Sequence, residues 1–307
     1  VTASPAQQRG PLDGQVIAGQ HVVVRFLNLV KFPHTLFALP FALVGVVAAS
    51  RHAPVTGRLL VLVVLAFTAA RWAALAFNMI ADLRFDRANP RNAQRELARG
   101  ALSTGQAWAS IVIAGVVFFW AAGAISPLTR ALSPIAFAWI LGYSLSKRWF
   151  DFTQLWLGLS LAIAPVGAWL AITGAWSTPW WVLCAIALAV TAWVAGFDIF
   201  HALPDEEFDR AHGLHSTVTR LGRVAALRLA RVLHAATVPL LLLFGWGAGF
   251  GAWYVAGVAA AALLLLHEHR LVRVDDLSRI GPAFFHWNAI LSATVFAAAL
   301  VDRVLHA

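Results

Sequence analysis

Apolar runs about as long as a bilayer is thick constrain this chain more than any other feature of its sequence. A helix needs roughly 20 such residues to cross ~30 Å of hydrocarbon. Runs of that order fall near residues 25–49, 59–81, 104–124, 127–146, 153–173, 178–200, 224–244, 249–266 and 283–302. Gly and Pro punctuate the uncharged joints, as at Gly174–Pro179 and Gly245–Gly249. The expectation is an all-α polytopic membrane protein with nine transmembrane helices. With 60% of residues hydrophobic, 12% charged and a mean hydropathy of +0.75, nothing is left over for a separate soluble domain.

The formal charge of +9 raises the question of a nucleic-acid partner. The basic residues argue against one, because they are scattered through short loops between apolar runs and form no continuous patch. They read instead as topology determinants. Even-numbered connections carry thirteen: Arg84, Arg87, Arg91, Arg95, Arg99, Lys147, Arg148, Arg210, Arg220, Arg223, Arg270, Arg273 and Arg279. Odd-numbered ones carry Arg51, Arg58 and Arg130. The N-terminus and the even-numbered loops are therefore expected on the cytoplasmic side. Residues 1–20 lack the apolar core of a signal peptide and are expected to form a disordered cytoplasmic tail, leaving 21–307 as one membrane domain. Trp120, Trp169, Trp176, Trp180, Trp181, Trp246 and Trp253 fall near the opposite ends of the runs, where an interfacial belt belongs. The single cysteine, Cys184, has no partner for a disulfide and reads as packing.

Acids are scarce, 14 in the whole chain, and half of them stand in two clusters that directly follow apolar runs. In the first, Asn78, Asp82 and Asp86 recur at every fourth residue, which on a helix stacks three oxygen-bearing side chains on one face. Oxygen ligands in a row suit a hard cation such as Mg2+, which protein carboxylates hold together with waters and substrate phosphates. Arg84, Arg87, Arg91 and Arg95 interleave with them and can meet phosphate oxygens. Alone, such a cluster is equally a solvated loop. In the second, Asp198, Asp205 and Asp209 are seven and four residues apart, again one helical face, although Pro204 interrupts helical hydrogen bonding just before Asp205. The clusters end the second and sixth runs, four helices apart and so on the same side of the membrane. That spacing suggests two four-helix bundles with a ninth helix appended, and two acid faces meeting across one cavity.

Both clusters resemble the aspartate-rich motifs of the UbiA superfamily of intramembrane prenyltransferases. Arg71–Asn78, Asp86–Arg91, Tyr143–Arg148, Leu161–Trp169 and Gly213–Ser216 resemble family segments in family order, and the resemblance runs from about Arg25 to the C-terminus. Phe37–Ala42 and Phe208–Ser216 are most similar to the branch that prenylates 4-hydroxybenzoate or menaquinone precursors. Met79, His201 and Pro204 depart from the family pattern.

The resemblance implies Mg2+-dependent transfer of a polyprenyl group from polyprenyl diphosphate to an aromatic acid, 4-hydroxybenzoate or a dihydroxynaphthoate-type precursor, in quinone biosynthesis at a bacterial inner membrane. It implies Asn78, Asp82 and Asp86 on one metal–diphosphate contact and Asp205 and Asp209 on another. Asp198 is left to bind metal through water or to orient or deprotonate the acceptor. Arg87, Arg91, Lys147 and Arg148 are then candidates for the phosphates, with Tyr143 one turn before Lys147 as an aromatic face for a carbocation. Phe77 and Phe197 are alternatives for that face. Arg71 lies eleven residues before Asp82, roughly 16 Å along a helix. A membrane-buried Arg there points either to a substrate carboxylate or to a structural partner. His201, three residues after Asp198, faces either the acceptor or mere packing. Asn28 and His34 read as interhelical hydrogen bonding.

Two rivals share part of this pattern. A UbiA-type enzyme for a haem- or chlorophyll-type acceptor would keep the aspartates. An ion-coupled transporter would keep its acids near the midplane, in broken helices.

Overall fold

A computed structural model of the chain describes residues 17, 19, 21–272 and 282–306, with side chains at 32–37 and 282–285 left aside. All but Ile17 and Gly19 of the expected tail over 1–20 lies outside these residues, as do Arg273, Arg279 and the side chains of His34 and Phe37. Regular structure among the described residues is entirely helical: α1 (Val22–Leu29), α2 (Phe32–Ala49), α3 (Gly57–Ala81), α4 (Leu83–Ala88), α5 (Thr104–Ile125), α6 (Pro127–Gly142), α7 (Thr153–Thr173), α8 (Trp180–Ala202), α9 (Glu206–Ala211), α10 (Thr217–Leu221), α11 (Arg223–Gly247), α12 (Ala252–Leu271) and α13 (Pro282–Leu305). Tighter 3₁₀ turns occupy Tyr143–Arg148 and Leu203–Asp205.

Every expected run falls on helix, but the run count and the span count differ. Seven described stretches are long and apolar enough to cross a bilayer. Of the rest, α6 has 16 residues, and the apolar part of α2 that is described, Ala38–Ala49, is short. The run at 25–49 is two helices, not one. Pro33 stands at the start of α2 and has no amide hydrogen with which to carry the hydrogen bonding of α1 onward. The chain therefore turns at Lys31, whose φ of 42° makes it the one non-glycine residue with positive φ among those described. The expected helix over 127–146 likewise stops at Gly142.

The long helices form two adjoining rings. In one, α2, α3, α5, α6 and α7 pack in sequence; in the other, α7, α8, α11, α12 and α13 do, with α13 closing back on α2. The ninth helix is thus a closing wall of the second ring, not an appendage. The shared wall of α2 and α7 is tight because Gly45 has no side chain: a Cβ there would strike the carbonyl of Pro165. Between α7 and α8, a Cβ on Gly158 would lie 2.5 Å from the Thr191 carbonyl oxygen.

The two rings are filled differently. Trp193, Phe200, Phe244 and Tyr254 fill the second as one continuous core. A buried polar network runs through it, with Trp193 Nε1 donating to Asn288 Oδ1 at 2.8 Å, Asn288 donating to Glu268, and His234 Nε2 lying 3.1 Å from the Trp193 carbonyl. The first ring has only small apolar clusters and encloses a cavity of about 1610 Å³. Outside, Trp120, Trp176, Trp180, Trp246 and Trp253 are exposed, while Trp169 is fully buried and bonded to Ser177.

Because the Gly45 contact is with backbone, which cannot swing aside, Gly45→Ala should destabilise the fold by about 1–3 kcal/mol. Thermal unfolding in detergent measures it. Gly57→Ala, where a Cβ meets nothing within 4 Å, should melt with wild type.

Candidate active site

The polar end of the cavity is built where helices stop. α3 ends at Ala81, yet Asp82 N still donates to the Asn78 carbonyl at 2.9 Å and Asp86 N to the Asp82 carbonyl at 2.8 Å. Helical hydrogen bonding passes through the joint into α4, so Asn78, Asp82 and Asp86 stay on one side and all line the cavity. Asn78 Nδ2 donates to Asp82 Oδ2 at 3.2 Å. The second cluster does not share one helical face. Pro204 tightens the chain into the 3₁₀ turn before α9, leaving Asp198 on α8, Asp205 in the turn and Asp209 on α9. All three nonetheless line the same cavity.

The two clusters are cross-linked. Arg91 Nη1 bonds Asp205 Oδ2 at 2.8 Å, and Asn89 Nδ2 reaches Asp205 Oδ1 at 3.3 Å. Arg95 Nη1 straddles both oxygens of Asp86 at 2.9 and 3.0 Å. Lys147 Nζ stands 4.0 Å from Asp209 Oδ2, a buried oxygen with no hydrogen-bond partner. The Lys147 backbone is held by His215, whose N–H donates to its carbonyl at 2.7 Å. Tyr143 and Lys147 sit on a 3₁₀ turn, not an α-helix, and both still line the cavity. So do Arg71, Phe197 and His201; Phe77 does not, and its ring packs edge-on against Trp108 at 5.8 Å.

Arg87 and Arg148, expected at the phosphates, stand elsewhere. Arg87 is exposed on α4 and does not line the cavity. Arg148 donates to the Ala81 carbonyl at 2.8 Å and so caps the end of α3. Asn28 bonds the backbone of Ile17 in both directions. Lys31 and Asn89 line the cavity unforeseen, and Arg95 is closer to the acids than sequence suggested. The signal for Lys31 was its charge inside an apolar run.

Burial and neighbouring charge compete in the electrostatics. Burial raises the carboxyl pKa of Asp82, against the pull of Lys147, Arg95 and Arg148, and that of Asp86, against Arg95. Burial lowers the pKa of Lys147, but Asp209, Asp82, Asp198 and Asp205 outweigh it and hold the ammonium above its ordinary value. Lys31 is pushed down to about 7 by the Arg95 charge, then by burial and Arg91, with Asp86 and Asp205 opposing.

Among the described residues no three His, Cys, Asp or Glu side chains already close into a metal cage. The donors that face the cavity are hard oxygens, one of them the buried, unbonded Oδ2 of Asp209. That set fits a cation that keeps waters and takes substrate oxygens to complete its shell.

Comparison with known proteins agrees with this geometry. The UbiA prenyltransferase family matches residues 38–290. A 4-hydroxybenzoate octaprenyltransferase of Nitrosospira multiformis is 30% identical over 249 residues, 81% of this chain and 84% of that protein. The solved apo structure of a UbiA homologue from Aeropyrum pernix K1 is 33% identical, with a TM-score of 0.79 over 88% of this chain and 98% of its own. A UbiA homologue from Archaeoglobus fulgidus, solved with GPP and Mg2+, shares the fold at 21% identity, with a TM-score of 0.69 over 91% of this chain and 99% of its own. Both carboxylate clusters lie inside the matched span, and the chain belongs to the UbiA prenyltransferase family as an integral-membrane prenyltransferase.

Proposed function

We propose that the protein transfers a polyprenyl group from polyprenyl diphosphate to 4-hydroxybenzoate, with Mg2+, from the cytoplasmic face of a bacterial inner membrane. One observation carries the reading: carboxylates and cations from both halves of the chain converge at one end of a cavity whose remaining walls, including Leu75 and Phe67 on α3, Phe118 on α5 and Ile140 on α6, are mostly apolar. A diphosphate head and an isoprenoid tail ask for that pairing. The acceptor is chosen over a dihydroxynaphthoate because the curated relative described above is a 4-hydroxybenzoate enzyme. Ion-coupled transport is disfavoured because the acids stand at helix ends among arginines.

Breaking the allylic C–O bond puts negative charge on the leaving diphosphate. Arg91, Arg95, Lys147 and Lys31 are the cations that offset it. Asn78, Asp82, Asp86, Asp205 and Asp209 would hold Mg2+, which supplies further charge neutralisation when bound. Tyr143 offers its ring to the allylic cation, and the apolar walls keep water from capturing it. Asp198 orients the acceptor hydroxyl or takes its proton, and Arg71 receives the carboxylate. His201 lies one turn beyond Asp198 and completes the acceptor wall. Residues 1–20 are read as a tail outside this machinery.

Asp82→Ala and Asp205→Ala should each lower transfer by about 10²–10³-fold or more while the protein still inserts, measured with purified variants and labelled donor. EDTA should stop wild-type turnover and added Mg2+ restore it. Transfer that survives chelation would remove the metal from the mechanism. Lys31 adds a pH dependence: with a pKa near 7 it is charged below that pH and neutral above, so donor KM should rise between about pH 6 and 8. In Lys31→Gln donor KM should be high and flat across the same range.

A further inference from the structure

Gln154, on the first turn of α7, has so far had no role. It is only 1% exposed yet lines the cavity. Its carbonyl oxygen is fully used: Oε1 accepts from Thr217 Oγ1 at 2.7 Å, Thr217 N at 3.2 Å and Thr153 Oγ1 at 3.2 Å. A backbone N–H can only donate, so the atom facing Thr217 must be the oxygen, and the amide cannot be flipped. The NH2 group is then turned away from Thr217. Among the described residues nothing accepts a hydrogen bond from it. The nitrogen is not among the sealed, unpartnered atoms of the interior, so its two unused donors open onto the cavity and call for an acceptor there.

Depth says which ligand that is. Gly158 of α7 abuts Thr191 of the antiparallel α8, so Gln154, four residues nearer the cytoplasm, is level with about Ala195. Asp198 lies roughly one turn, about 5 Å, further out, and Asp205 and Asp209 further still. The amide therefore stands below the carboxylates that face the diphosphate, at the level of the acceptor.

We propose that Gln154 Nε2 donates to an anionic oxygen of the aromatic acceptor, with Thr217 as the clamp that aims it. Clamping keeps an otherwise flexible side chain in its binding rotamer and ties acceptor recognition to the segment that follows the second aspartate cluster. This rests on the aromatic-acid acceptor proposed above.

Gln154→Glu separates recognition from structure, since one carboxylate oxygen keeps the Thr217 bonds while the other replaces the donor. At pH 8, with 4-hydroxybenzoate and a polyprenyl diphosphate, acceptor KM should rise roughly tenfold or more. Donor KM should stay within about twofold of wild type. Gln154→Leu, which also loses the clamp, should lower the melting temperature, whereas Gln154→Glu should not. Running the same pair with methyl 4-hydroxybenzoate identifies the oxygen: an effect that vanishes assigns the carboxylate, and one that persists assigns the phenolic oxygen. Unchanged acceptor KM in Gln154→Glu, or equal shifts for acceptor and donor, overturns the assignment while wild-type transfer stands. If wild type transfers to no aromatic acid, the proposed function falls and the assignment falls with it.

Discussion

Hydrocarbon offers a backbone no hydrogen bonds, and that constraint decides where chemistry can be built in this chain. Across the bilayer the peptide groups must satisfy one another, so the long helices leave little freedom to aim short side chains at one another. Irregular backbone is tolerated only where helices end or border a cavity. Lys31, the joint at Asp82, the turn at Tyr143–Arg148 and the turn at Leu203–Asp205 are such places, and all four contribute to the wall of one cavity. Short acids from distant parts of the sequence meet there because only there can the chain bend to bring them together.

The two rings divide the remaining work. The second is packed solid and threaded by the network of Trp193, Asn288, Glu268 and His234, whose burial makes each hydrogen bond expensive to lose. α8 belongs to that ring, and the Asp198 it carries faces the first, so a rigid half presents a fixed acid to a hollow half. α7 is common to both and carries Gln154 on the hollow side.

What could be read in advance follows from what depends on local pattern. Apolar runs and the fourfold spacing of Asn78, Asp82 and Asp86 are properties of adjacent turns, and both survive into the structure. What depends on the path between elements does not show in the sequence. Arg87 and Arg95 are alike as letters in one loop; only the turn of α4 sends the first outward and brings the second onto Asp86. Arg148 looks like a phosphate ligand until the end of α3 is located beneath it. Lys31 is hidden because averaging hydropathy over 25–49 conceals the break that Pro33 forces. Gln154 carries no charge and no motif, and its orientation is set by a threonine 63 residues away.

The cross-links at the polar end of the cavity have a thermodynamic consequence. Five cations (Lys31, Arg71, Arg91, Arg95 and Lys147) and five carboxylates (Asp82, Asp86, Asp198, Asp205 and Asp209) line the wall, and the free protein pairs several with one another. Binding of a charged ligand there would be an exchange. On the function proposed above, a diphosphate that drew Arg91 and Arg95 away would strand Asp205 and Asp86, and a divalent cation that captured those carboxylates would strand the arginines. Either ligand alone would leave broken pairs behind, and the two together would re-pair them. By linkage each would then strengthen the other by the same factor, and uptake of metal and donor would be coupled.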